Sequence, residues 1–166
     1  MSITPDAGNT GRGAVESVPE KMAWLLEQFA EDVPGVTHAV LLSRDGLRLL
    51  DSGVDKDWAD QLAAAVCGMA SIADNVKGPS DDKRPARQIL IERDDCLILV
   101  QNAGGSRAFD NHPSAVHGVV DTVLAVVTTP DANNVGPVAF EMSRLIAKFG
   151  DFMEVPVRTA ASDVAP

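Results

Sequence analysis

The sequence predicts an α+β domain in which three helices flank a five-stranded antiparallel sheet, in the order α-β-β-α-β-β-β-α. Short polar turns join consecutive apolar runs, as in β-hairpins, and three longer segments repeat apolar residues at helical spacing. Several strands are apolar at consecutive positions, which indicates burial on both faces. We therefore expect helices on both faces of the sheet. The hairpins also exclude a doubly wound nucleotide-binding sheet.

Local signals define the first helix and the first hairpin. Ser17 and Glu20 fit a capping box at the start of the helix, and Pro34-Gly35 predicts its end. Asp45-Gly46 lies between two apolar runs and is typical of a tight hairpin turn. The strands predicted on either side are 36–43 and 47–50.

The second half of the chain repeats this logic. A second helix is predicted over 56–76, and Asp131, Asn133 and Asn134 offer N-caps for a third helix that ends at Gly150. The remaining strands are predicted over 88–92, 96–101 and 122–128. The core-facing stripe of the second helix is expected to be Trp58, Leu62, Ala65, Val66, Met69, Ile72, Ala73 and Val76.

The two ends of the chain differ in composition from its middle. Residues 1–16 are rich in Gly, Ser, Thr and Asp, and residues 151–166 drift into small residues and Pro. Both stretches are predicted to be disordered tails around one domain at 17–150.

The charge balance excludes several classes of function. The formal net charge is −10, which argues against binding nucleic acid or an anionic membrane surface. No apolar run is long enough to span a bilayer, and no signal peptide is evident, so we expect a cytoplasmic protein. Cys67 and Cys96 are accordingly expected to be reduced and buried.

Motifs for catalysis are absent from the sequence. There is no P-loop, no GxSxG and no CxxC or HxxxH pair, so we expect no autonomous catalysis, no cofactor and no metal. His38 lies in a predicted strand, as a core or interface histidine. Asp110, His112 and His117 fall in a loop at 103–118, where a metal site is less expected than a polar surface.

The far side of the second helix is the most informative feature. A solvent-facing helix surface normally carries Lys, Glu, Gln or Arg, but here the middle turns are small and nearly uncharged. Small side chains let another backbone approach closely, so we favour contact with the same helix of a second copy. An Ala-rich surface, or one covered by the chain's own tail, is the alternative.

At this point the sequence resembles the roadblock family, the dynein-light-chain type, and most closely its bacterial members in actinobacteria. The resemblance covers roughly 17–150. It rests on the order and spacing of these stretches: Trp24-Leu25-Leu26, Pro34 to Val40, Ser43 to Leu47, Asp60 to Ala64 with Gly68 and Ser71, Pro130 to Asn133, Val135-Gly136 and Ala139 to Met142.

The resemblance implies a scaffold or regulator of a Ras-like small GTPase that forms homo- or heterodimers, in some members one that stimulates GTP hydrolysis, and we expect a homodimer here. It implies that the third strands of two copies, here 86–92, pair edge to edge and that the second helices pack together. Similar actinobacterial proteins are associated with a sensor histidine kinase. The expected interface residues are Asp60, Ala63, Ala64, Cys67, Gly68, Ser71, Asp74, Ile89 and Ile91.

The loop at 103–118 departs from the family pattern, which has a short turn there, and it adds a surface of unassigned role. Two other classes of function stay open on the sequence. A PAS- or GAF-like ligand sensor would bind a small molecule between sheet and helix, with His38 as the one polar anchor in a strand. A hydrolase or metal enzyme would use the histidines of the loop.

Overall fold

The computed structural model describes residues 15–153 and confirms the predicted order of elements. The helices are α1 (Val18–Asp32), α2 (Lys56–Asn75) and α3 (Val135–Met153), and a 3-10 turn, Ala132–Asn134, precedes α3. The strands are β1 (Val36–Ser43), β2 (Arg48–Asp51), β3 (Gln88–Glu92), β4 (Leu97–Ser106) and β5 (Val120–Thr128).

The start of α1 follows from its capping box. The Ser17 hydroxyl accepts a hydrogen bond from the Glu20 amide at 3.3 Å, and the Glu20 carboxylate accepts one from the Ser17 amide at 2.9 Å. Two amides that the helix itself cannot satisfy are thereby paired. This cap fixes the position from which Met22, Leu26 and Phe29 reach the core.

The sheet has the strand order β2-β1-β5-β4-β3, and all neighbouring strands are antiparallel. Consecutive apolar residues in β1, β4 and β5 point to opposite faces, which gives two separate cores. One core lies between the sheet and the layer formed by α1 and α3, and it contains the largest buried side chains, such as Phe149 and Met142. The other lies under α2 and is built from Val, Ala, Ile and Leu.

The two strands around the predicted loop at 103–118 are longer than predicted. β4 continues to Ser106 and β5 begins at Val120, so the loop spans 107–119. Gly104 and Gly105 indicated a loop but lie in the strand, where the register shifts between Asn102 and Gly104. A Cβ on Gly105 would stand 2.9 Å from the Val119 side chain, so glycine here permits close packing.

The end of α3 differs from the prediction as well. Gly150 remains helical, without a positive φ, and α3 continues to Met153. Glycine tolerates the left-handed conformation that ends many helices but does not impose it. Most of the predicted N-terminal tail and the part of the predicted C-terminal tail after Met153 lie outside the described residues.

Candidate protein-docking surface

The orientation of α2 decides which of its residues are available to a partner. The residues that face the sheet are Ala59, Ala63, Val66 and Ala70, one or two turns apart. Ala63 is fully buried, so its predicted place on the outer surface is wrong. The predicted core positions Ile72 and Val76 are also wrong, since they are 70% and 64% exposed.

The physical reason lies in the sheet beneath α2. The strands there already present branched side chains such as Val40, Leu42 and Val123. Alanines let the helix axis approach this surface closely, whereas larger side chains would hold it away. The prediction took the side of α2 with the larger residues as the buried side, and the helix orientation that it implied was therefore wrong.

One flank of α2 is held by the β1–β2 hairpin of the same chain. Arg48 donates to Asp60 at 2.9 Å and to Asp51 at 2.7 Å, and the hydrogen bond from Arg48 lowers the pKa of Asp60. The Cys67 thiol donates to the Arg44 carbonyl at 2.9 Å. Three of the predicted interface residues, Asp60, Cys67 and Asp74, thus have partners within their own chain.

Asp74 joins three parts of the fold near the end of α2. It forms an ion pair with Arg44 of the hairpin, and it accepts a hydrogen bond from the Ala86 amide at 2.8 Å. The segment that leads into β3 is therefore anchored to the same carboxylate as the β1–β2 turn. Asp74 acts within the chain to set the position of β3 relative to α2.

The rest of α2 presents a small and apolar surface. We define the outer α2 face as the exposed residues of α2 and its C-cap that have small or apolar side chains: Ala64, Ala65, Gly68, Ser71, Ile72 and Val76. A Cβ on Gly68 would meet nothing within 4 Å. This face therefore keeps Ala64, Gly68 and Ser71 of the predicted interface and adds three residues that the sequence interpretation had turned inward.

Strand β3 continues this surface at the edge of the sheet. Within residues 15–153 it pairs with β4 alone, so its other edge carries backbone donors and acceptors without a strand partner. Ile89 and Ile91 are half-buried and pack against the core on the α2 side of the sheet. Leu90 points to the opposite side and is exposed.

A groove opens between the first half of α2 and the sheet. Its volume is about 650 Å³, within the range of ligand pockets. His38 and Trp58 stand against each other at its wall, with ring centroids 4.6 Å apart. The groove is lined by Thr37, His38, Trp58, Gln61, Leu62, Ala65, Arg93, Asp95, Cys96, Ile98, Val127, Thr128, Thr129 and Pro130.

The sequence interpretation found only His38 of this groove as a polar candidate. Thr37 of β1 and Gln61 of α2 add polar groups, and further ones come from the end of β5 and from the β3–β4 turn, where Arg93 and Asp95 form an ion pair at 2.9 Å. Only the sheet order brings these distant segments beside α2. Trp58 was predicted as a core residue of the second helix, and its place at the wall of the groove was not predicted.

The loop at 107–119 lies against the β1–β2 turn. The Ser114 hydroxyl is 2.7 and 2.6 Å from the two carboxylate oxygens of Asp45. Hydrogen bonds from Ser114 and then Ser43 lower the pKa of Asp45. The loop is thereby attached to the end of the sheet towards which the C-terminal half of α2 points.

The candidates for metal and thiol chemistry are not brought together. Among residues 15–153, no three His, Cys, Asp or Glu side chains are placed to share a metal ion. Cys67 and Cys96 are free and only half-buried, not buried as predicted. Burial raises the pKa of the Cys96 thiol.

No helix in the described part of the chain has the length and apolar character needed to cross a membrane.

The arrangement of two helices on one face of the sheet and one on the other, in this element order, defines the fold class of roadblock proteins. The Roadblock/LC7 domain, as a sequence family, matches residues 22–106. The chain therefore belongs to the Roadblock/LC7 family.

Solved structures support the same assignment. A crystal structure of a Roadblock/LC7 domain from Streptomyces avermitilis is 30% identical, covers 78% of this chain and 95% of its own, and has a TM-score of 0.62. A second structure from that organism is 31% identical, covers 77% of this chain and 97% of its own, with a TM-score of 0.56.

A more distant structure shares the fold alone. The gliding protein MglB from Thermus thermophilus is 17% identical, covers 82% of this chain and 94% of its own, and has a TM-score of 0.58. No curated protein matches the sequence of this chain.

Proposed function

We propose that this protein is a homodimeric, non-catalytic adaptor or regulator of a Ras-like small GTPase in the cytoplasm. The observation that carries the proposal is the outer α2 face, which is small and apolar, on a sheet whose β3 edge is open. Membership of the Roadblock/LC7 family supports it, because the family resemblance implies dimers that act on such GTPases. The sensor histidine kinase stays a prediction from the resemblance, since neither the fold nor the comparisons concern it.

Symmetry determines the geometry of the proposed dimer. Two β3 strands that pair antiparallel are related by a two-fold axis, and an axis perpendicular to the sheet keeps both α2 helices on one face. The helices then run antiparallel to each other. Ile72 and Val76 of one copy would approach the groove beside Trp58 and Leu62 of the other. Burial of these exposed residues is the driving force that we propose for the dimer.

The mass of the protein in solution tests the dimer. We expect twice the chain mass by light scattering at a protein concentration of about 10 μM, at which a dimer with a Kd of about 1 μM or less is mostly associated. Ile72→Glu should shift the mass towards the monomer, because it would bury an unpaired carboxylate. Val116→Glu is the matched control, since Val116 is 68% exposed but lies in the loop at 107–119. A monomeric wild type would contradict the proposal.

A nucleotide-dependent pull-down tests the partner. The tagged chain is incubated with source lysate containing either excess GDP or a non-hydrolysable GTP analogue, and bound proteins are identified by mass spectrometry. Recovery of a Ras-like GTPase mainly with the GTP analogue is the expected result, and a GTP turnover assay then measures any stimulation. Equal recovery in both samples would indicate a tether, and recovery of no GTPase would contradict the proposed partner.

The groove favours a second candidate function, a ligand sensor. Its volume and its mixture of apolar walls with His38 and threonine hydroxyls suit a small molecule. In this alternative the wild type is a monomer with an accessible groove, and native mass spectrometry should detect a bound compound. Trp58→Ala should release that compound, since it removes one wall of the groove. A dimer without a bound compound would exclude the sensor function.

A further inference from the structure

We infer that the outer surface of the α1–α3 layer is a second docking surface, and that it binds a basic amphipathic helix of another protein. This layer covers the face of the sheet opposite to α2. The proposed dimer therefore leaves it accessible, and the inference does not depend on which GTPase the α2 side binds.

Two aromatic side chains point outward from this layer. Trp24 lies between the buried residues Met22 and Leu26 of α1, yet it is 55% exposed. Phe140 lies between the buried Val138 and Met142 of α3, and it is 64% exposed. The whole chain has only two Trp, five Phe and no Tyr, so two of its seven aromatic side chains are exposed on this layer. Exposed aromatic residues are typical of the centres of protein interfaces.

A groove between the two helices adds shape to this surface. It measures about 200 Å³, and apolar side chains such as Leu25, Phe29 and Leu145 line it together with charged ones such as Asp32, Arg144 and Lys148. This volume is below the range of cofactor or drug-sized ligands. It suits one side chain inserted by a partner.

The charges identify the partner. The α1 helix carries four carboxylates and one lysine, while α3 carries two carboxylates and two cations. On α3, Glu141 and Arg144 already form an ion pair at 3.1 Å. Asp32 and Glu141 balance Arg144 and Lys148 at the groove itself, so the excess of negative charge lies outside the groove, mainly on α1. A second copy would bring the same negative charge and be repelled, whereas a basic partner would be attracted.

The local structure favours a helix as the binding element. The surface consists of two neighbouring helices and presents no strand edge in the described residues, so an added strand would find no backbone partners. A helix can place apolar residues at i, i+3, i+4 and i+7 along the groove between α1 and α3. Lysines or arginines on its flanks would then face Glu27 and Glu31, both exposed on α1.

A designed peptide tests this inference with the full chain. The probe is a dye-labelled 18-residue peptide of Leu and Lys with helical apolar spacing, and the control is a scrambled peptide of the same composition. Fluorescence anisotropy should show that the ordered peptide binds about tenfold more tightly, since both peptides share charge but only one presents an apolar stripe. Trp24→Ser, Phe140→Ser and the pair Glu27→Lys with Glu31→Lys should each weaken binding several-fold.

Val116→Ser is the matched control, because it removes an equally exposed apolar side chain that does not line the groove between α1 and α3. Circular dichroism verifies that every variant is folded. Equal binding of the two peptides, or binding that Trp24→Ser and Phe140→Ser leave unchanged, would overturn the inference. A lower mass in solution for the Trp24→Ser variant than for the wild type would also overturn the inference, because that result would assign this surface to contact with a second copy.

Discussion

Asp45 shows how single contacts determine the chemistry of a residue in this protein. Its carboxylate accepts hydrogen bonds from Ser114 and Ser43, and these bonds favour the ionised form. The same contact attaches the loop at 107–119 to the β1–β2 turn. The sequence predicted a turn at Asp45 and a loop that contains Ser114, but no sequence pattern predicted contact between residues 69 positions apart.

Ser114→Ala should raise the pKa of Asp45 towards its ordinary value, because the strongest hydrogen bonds to the carboxylate are lost. A carboxyl group whose pKa is lower in the folded than in the unfolded state stabilises the fold at pH values above the unfolded-state pKa. That contribution disappears as the pH falls through the pKa of the folded state. The wild type should therefore exceed the variant in stability at neutral pH, with the difference vanishing in acid. Carboxyl ¹³C shifts during a pH titration measure the change, and Ser114→Thr, which keeps the hydroxyl, is the control.

At the scale of elements, the β1–β2 turn packs directly against α2. Gly46 has a φ of +91°, and a Cβ there would stand 3.1 Å from the Cβ of Cys67. The hairpin signal of Asp45-Gly46 explains the positive φ, and the packing against Cys67 adds a second requirement for glycine. This contact holds one flank of α2 against the hairpin.

Gly46→Ala should reduce the free energy of unfolding by about 1–3 kcal/mol, because backbone strain and the clash with Cys67 act together. Gly53→Ala provides the control, since Gly53 has a φ of +84° but no atom within 4 Å of the added Cβ. It should show the backbone cost alone. Urea unfolding of both variants measures the difference, and equal losses would mean that the contact with Cys67 contributes nothing.

The elements themselves were largely predictable, and their orientations were not. Turn chemistry and the capping box at Ser17 predicted the order of elements because these signals act over a few residues. The orientation of α2 depends on the sheet beneath it, and that sheet combines strands from three distant parts of the sequence. Ala63 was therefore placed outside and Ile72 inside, the reverse of what the structure shows.

At the scale of the whole molecule, Gly68 affects the stability of the single chain and the proposed dimer in opposite directions. Glycine inside a helix costs about 1 kcal/mol relative to alanine, and Gly68 has free space around it within one chain. A role in close contact between two α2 helices would explain why glycine is present there.

Gly68→Ala should therefore raise the stability of the isolated chain and weaken its dimer. Gly150→Ala serves as the control, because Gly150 is also helical and has no neighbour within 4 Å of an added Cβ. It should stabilise the helix without affecting association. Analytical ultracentrifugation over a dilution series measures dimer affinity, and an unchanged affinity in Gly68→Ala would place the contact elsewhere on α2.

The two edges of the sheet differ in how readily they could pair with another strand. The β2 edge is only four residues long, and Arg48 is engaged there by Asp51 and Asp60, while β3 leaves its backbone open. Short, charged edge strands resist further pairing. Growth of the sheet through β3 would therefore stop at ten strands, since both outer edges would then be β2. In the proposed dimer, the sheet would therefore end in a short, charged strand on both sides, which disfavours its extension into a fibre.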